Sequence, residues 1–245
     1  MAAPSPPLAD RLTPYLGLSA FVAELLLLGV VAGALVLAAD RWLAPQNLPW
    51  RPLELDQPIG WFTAAKLGRA YGPACRAVLE RGGVRFADAP ARESGFCSMH
   101  DAVRLGAGGP PLRPAGPVMT CNAALALAIW ERQVLQPAAR EVLGARVAAI
   151  EHYGSYACRR QYGAEGGRVS EHARANAIDV AGVVLSDGRR VSVARDWGDP
   201  GPKGRFLHRI RDGACGPFTV TLSPDYNAAH ADHLHFDRGG FRICR

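Results

Sequence analysis

The chain has 245 residues, 49% hydrophobic and 20% charged, with a formal net charge of +6 at neutral pH. That length admits one well-buried domain with an N-terminal appendage, or at most two small domains, and the composition is that of a folded protein rather than a disordered one. The first 40 residues hold one basic and three acidic side chains, so the remainder carries +8; a basic domain suits an anionic polymer or membrane surface, but with no basic run and no interleaved aromatics a nucleic-acid partner is not expected.

Residues 1–15 read as an N-terminal tail. Leu16 to Ala39 is the one membrane-type stretch. Its residues would rise about 36 Å as a helix, enough for a hydrocarbon core of about 30 Å. Glu24 inside it is costly at the bilayer centre and less so near one end. Two readings compete, an uncleaved anchor and a signal peptide cut near Ala38-Ala39, and the anchor is favoured because no A-x-A site precedes Asp40. Residues 40–60, with four prolines and no periodicity, read as a semi-rigid linker ahead of a domain over 61–245.

A first helix is expected over Pro73 to Arg81, stopped by Gly82-Gly83. The Gly/Pro-rich stretch 105–117 is expected to lack regular structure. Asn122 is expected to cap a helix running from Ala123 to about Leu135, with Pro137 kinking it or starting another and Gly144 ending the run. Beyond Arg146 the period shortens. Arg146 to His152 suggests a strand; Ala177 to Leu185 and Arg190 to Ala194 suggest a hairpin around Ser186-Asp187-Gly188. A short helix near Gly204 to Arg211 and strands at Phe218 to Leu222 and Asp232 to Phe236 complete an α+β domain: N-terminal helices, then a small antiparallel sheet, behind one N-terminal transmembrane helix.

All six cysteines follow the apolar segment, and none forms a C-x-x-C pair. An even number of widely spaced cysteines behind a membrane segment points to disulfides and an oxidising compartment. Six cysteines allow 15 connectivities; Cys215 with Cys244 is the pair expected first, because both flank the strands that carry the histidines.

Two segments carry the chemistry. In HADHLHFD, His230, His233 and His235 fall within six residues, and on a strand His233 and His235 share a face. In SEHARANAID, His172 and Asp179 stand seven apart. A continuous helix would separate them by about 10 Å, too far for one metal ion, so the segment must double back through Ala173 to Asn176. Two imidazoles and one carboxylate leave a fourth zinc position for water, the catalytic rather than the structural pattern.

Together, S-x-H-x₆-D followed by D-x-x-H and H-x-H resembles the zinc peptidases that include D-Ala-D-Ala carboxypeptidases, lysostaphin-type endopeptidases and the hedgehog signalling domain. The resemblance is closer to bacterial extensin-like C-terminal domain proteins. It is carried by Thr120-Cys121, Gly154-Ser155-Tyr156 with Cys158-Arg159, Ser170-Glu171-His172, Asn176 to Asp179, Asp196-Trp197, Asp225 to His230, Asp232 to Asp237 and Cys244-Arg245. What the resemblance implies is Zn²⁺ held by His172, Asp179 and His235, with Asp232, three positions before the last ligand, as general base. His233 would line the site, His230 is the reserve base, and Arg159 would engage a substrate carboxylate. The usual glycine three residues after the first histidine is Ala175 here. The implied function is hydrolysis of peptidoglycan peptides at the periplasmic face of a bacterial inner membrane. A second reading is a cell-envelope binding or structural module that keeps the fold without turnover. Tyr156 and Trp197 are read as packing residues.

Overall fold

The computed structural model describes residues 8–106 and 108–245, with side chains from residue 21 onward apart from 107. It divides into two units, residues 1–44 and 45–245. The first is a helix, α1 (Leu8–Trp42), within which Phe21–Trp42 is long and apolar enough to cross a membrane. A membrane span and a signal sequence both meet that description. The tail expected over 1–15 lies partly outside the described residues, and from Leu8 on its backbone is helical.

The second unit is a mixed α+β domain. Residues 45–60 are part of it rather than a linker: Gln46, Leu48, Leu53 and Leu55 are buried, and Leu53 and Leu55 join the main core. Prolines hid this, because they break periodicity without keeping the leucines between them in water. Two helices follow, α2 (Thr63–Arg69) and α3 (Gly72–Arg81). Then come β1 (Phe86–Asp88), β2 (Ala102–Leu105), β3 (Leu112–Arg113) and β4 (Val118–Thr120). Strands β1, β2 and β4 make a separate three-stranded sheet. β3 lies inside the stretch expected to be irregular, and pairs in parallel with a strand of the larger sheet.

Helix α4 (Cys121–Trp130) is buried on nearly every side, as an apolar helix without a polar face must be. Its cap is Thr120, whose hydroxyl accepts from the Ala123 N–H at 3.2 Å. Asn122, expected in that role, is buried and donates to the carbonyls of Leu67 and Ala70, tying α4 to α2. The helical path continues through two π turns and the short α5 (Gln136–Ala138) and ends at Gly144, whose φ of +68° is left-handed.

Next are β5 (Val147–Gly154), β6 (Ala177–Leu185), β7 (Arg190–Ser192), α6 (Val193–Asp196) and α7 (Pro202–Ala214). The chain closes with β8 (Val220–Leu222), β9 (Leu234–Asp237) and β10 (Ile243–Cys244). The larger sheet runs β10-β8-β9-β6-β5-β3, with β7 on β6. It is seven-stranded and mixed, not small and purely antiparallel, since its two outer pairs, β10-β8 and β3-β5, are parallel. Leu234 and Phe236 of β9 face the core, where Phe236 meets Trp130 and Phe218 at ring-centre distances of 5.1 and 5.0 Å. The alternation of a strand therefore turns His233, His235 and Asp237 to the other face.

The cysteines form three disulfides, Cys75–Cys121, Cys97–Cys158 and Cys215–Cys244, and none is free. The expected Cys215–Cys244 pair is among them.

Candidate metal centre

The doubling back that the H-x₆-D spacing requires is built by a 3₁₀ turn over Glu171–Arg174, capped by the Ser170 hydroxyl. Ala175 closes it at φ +56°, left-handed backbone that favours glycine. The turn is braced from outside: Thr120 N–H donates to the Ala175 carbonyl at 2.8 Å, and Asn176 joins the Thr120 hydroxyl to Glu171. Tyr156 packs against the small cluster of Met99, Ala102 and Ala175. His172 is thereby set against β6, where Asp179 lies directly opposite His235 of β9 in the antiparallel ladder.

The three side chains converge. His172 Nε2 lies 3.1 Å from Asp179 Oδ1 and 3.2 Å from His235 Nδ1, and His235 Nδ1 lies 2.9 Å from Asp179 Oδ1. Donors on a tetrahedral zinc, with bonds of about 2.0–2.1 Å, stand about 3.3–3.4 Å apart. The triangle thus needs to open by only a few tenths of an ångström to hold such an ion. Among the described residues these three are the group of histidine and acidic side chains that meets the spacing of a metal site.

The outer ring nitrogens decide the chemistry. His172 Nδ1–H donates to the Ser155 carbonyl at 2.9 Å, and His235 Nε2–H donates to Asp237 Oδ2 at 2.9 Å. Each bond fixes the tautomer whose inner nitrogen can offer a lone pair, the arrangement that orients histidine ligands in metal sites. Asp237 is itself buried and held by the Gly239 N–H. Replacing Asp237 with alanine is therefore expected to weaken zinc binding about 10–100-fold while leaving the fold intact, as read by competition with a chelating dye.

Charge follows the same geometry. Burial opposes ionisation of Asp179, but hydrogen bonds from His172 and His235 outweigh it and hold its carboxyl well below the usual range. Burial also opposes a charge on His235, yet the carboxylates of Asp179 and Asp237 on its two nitrogens push it up to about 9. A raised folded pKa stabilises the protein below the unfolded value and loses that contribution as pH climbs through the folded one. The chelator-treated domain should therefore lose thermal stability between about pH 6.5 and pH 9. The zinc-loaded domain should not, because the ion replaces the proton. Melting curves with and without chelator across that window test this.

The cluster forms the floor of an open cleft of about 500 Å³, with Arg159, Arg168, Tyr162 and Phe241 on its walls. Arg159 is exposed and makes no side-chain hydrogen bond or ion pair among the described residues. His233 presents Nε2 to the cluster, 3.5 Å from Asp179 Oδ1, while its Nδ1 bonds Asp232 Oδ1 at 2.9 Å. Asp232 thus meets the site only through His233 and does not line the cleft. His230 does line it, with Nδ1–H donating to Asn227 Oδ1 at 2.7 Å; burial first, then the neighbouring imidazoles His235 and His233, lower its pKa to about 4. Trp197 lies outside the cluster, its ring tilted against His208 with centres 4.1 Å apart and its Nε1–H donating to Asp225.

The parts that spacing alone did not reveal are Asp237 and the Ser155 carbonyl. Asp237 had a signal, since it continues the alternation of His233 and His235; a backbone carbonyl has none.

Fold and cluster define a class: an α+β domain in which a carboxylate and an imidazole of the central sheet meet an imidazole from a 3₁₀ turn, lining a cleft in a spacing that could hold a metal ion. The chain belongs to the family described as extensin-like protein C-terminus, whose model matches residues 73–245. No curated protein and no solved structure matches it.

Proposed function

We propose that the domain is a zinc-dependent peptidase acting on peptidoglycan peptides. The observation that carries this reading is the convergence of His172 Nε2, Asp179 and His235 Nδ1 with both imidazoles locked from behind. Zinc held there supplies, when bound, Lewis acidity and a water activated near neutral pH. The resemblance to D-Ala-D-Ala carboxypeptidases and lysostaphin-type endopeptidases names the bond class, a peptide amide.

The chain's own residues would divide the work as follows. His233 Nε2 faces the cluster and takes the proton from the attacking water, then delivers it to the leaving amine. Asp232 does not act as the base itself; it binds Nδ1 of His233 and holds Nε2 toward the cleft. His230, neutral at physiological pH, offers a polar group to the developing oxyanion or to a substrate N–H. Arg159, exposed at the cleft wall, suits a substrate carboxylate through a bidentate guanidinium pair. Three disulfides and the apolar α1 favour a site of action at the periplasmic face of the inner membrane, reached through α1 as anchor or as signal.

One observation favours a second reading. His233 Nε2 stands close enough to Asp179 that a small side-chain movement would make it a fourth ligand. The site would then be closed, and the domain a cell-envelope binding or structural module.

Incubating residues 45–245 with purified muropeptides and resolving the products by mass tests the peptidase reading. Cleavage that stops with chelator and returns with zinc is expected; intact muropeptides in the zinc-loaded sample contradict it.

A further inference from the structure

The chain has five tryptophans. Trp130 and Trp197 belong to the body of the domain, one buried in the core and one packed on it. The other three lie between residues 42 and 61, and Trp42, Trp50 and Trp61 are 79%, 51% and 78% exposed. Leaving that much indole in water is unfavourable; a ring with a large apolar body and one N–H donor is at home where hydrocarbon meets headgroups.

Trp61 is held outward by a built backbone. Its N–H donates to Asn47 Oδ1 at 2.8 Å, and the next N–H, of Phe62, donates to the Gln46 carbonyl at 3.0 Å. The two segments touch so closely that a Cβ on Gly60 would lie 2.3 Å from Asn47 Oδ1 and 2.7 Å from the Gln46 carbonyl carbon, so only glycine fits there. Gln46 is fixed in turn, buried and bonded to Lys66 and to the Glu54 carbonyl. Ile59, next to Gly60, is also exposed and lies near Gly216. The result is an ordered apolar lip, Ile59 and Trp61, whose backbone is packed against Gln46 and Asn47. Only Leu43 and Ala44 separate α1 from the first residues of the domain, so the lip is tethered close to any bilayer that α1 enters. A cationic side chain is at hand for anionic lipid: the exposed Arg242 bonds the carbonyl of Cys215, beside the Gly216 that Ile59 lies near.

We propose that this lip is a lipid-binding surface of the folded domain, with Trp61 as its anchor in the headgroup region of the membrane that α1 spans. The proposal rests on α1 as a membrane span and is independent of the metal site.

Residues 45–245 contain the entire core and all three disulfides, so they are tested without α1. Vesicles of phosphatidylethanolamine and phosphatidylglycerol should carry this domain upward in a flotation gradient and shift its tryptophan emission to shorter wavelength. Trp61→Ser should weaken partitioning about tenfold, while Trp61→Phe keeps most of it. Equal partitioning of the serine variant and the unmutated domain, or no flotation of either, overturns the proposal. So does an emission shift that depends on protein concentration without lipid, which would assign the lip to a second copy. Release of the full chain from membranes by alkaline carbonate overturns the premise about α1, and is distinguishable because the vesicle measurement does not involve that helix.

Discussion

His233→Ala should lower turnover of a muropeptide by about 10²–10⁴-fold while the domain keeps its zinc, the usual worth of a general base. The expectation comes from where the two ring nitrogens lie. Nε2 looks toward the cluster, 3.5 Å from Asp179 Oδ1, and Nδ1 is bound to Asp232. Removing the imidazole deletes the group nearest the open side of the cluster without touching His172, Asp179 or His235. Asp232→Asn should cost less, because an amide can still accept the Nδ1 hydrogen bond and only the charge behind the imidazole is lost. His230→Ala should leave zinc in place and cost less than His233→Ala. If Asp232→Asn is the more damaging change and His233→Ala is nearly neutral, the roles are reversed and the base is the carboxylate. Turnover and zinc content measured on the same samples decide it.

Replacing His172, Asp179 or His235 with alanine should each remove bound zinc, with affinity falling by more than the 10–100-fold that a supporting residue is worth. Each of the three supplies one corner of a triangle 2.9–3.2 Å on a side. Two remaining donors make a weak site. Asp179→Ala carries a second penalty, since it leaves His172 and His235 facing each other at 3.2 Å with no carboxylate between them. That variant should also melt lower than the others near neutral pH. Elemental analysis of the purified variants, beside one equivalent of zinc in the unmutated chain, reads the outcome; normal zinc in any two of them contradicts the ligand set.

Much of this centre was legible in the sequence because its residues lie in two short segments with diagnostic spacing. H-x₆-D forces a chain reversal, and the reversal is there, turned at Ala175. H-x-H reads directly as one face of a strand, and β9 together with the residue before it delivers it, His235 within the strand and His233 just ahead of it. The position of Asp232 was not legible in the sequence, for a physical reason: it binds Nδ1 of His233 rather than facing the cluster. A residue three before a ligand shares its face on a helix, but this segment leaves a 3₁₀ turn and enters a strand, where alternation aligns His233, His235 and Asp237 instead. The fold class followed from the change of period after Arg146. The β1-β2-β4 sheet did not, because its strands of three and four residues are too short to show a period. Residues 45–60 were hidden in the same way, with buried leucines spaced irregularly between prolines.

Zinc-edge X-ray absorption on the loaded domain reads whether the metal position beside His233 is open. Two imidazole nitrogens, one carboxylate oxygen and one exchangeable oxygen, at about 2.0–2.1 Å, are the predicted neighbours. In His233→Ala the imidazole count should stay at two. Three imidazoles in the unmutated domain, falling to two in that variant and with no exchangeable ligand, would show a closed site and contradict the peptidase account.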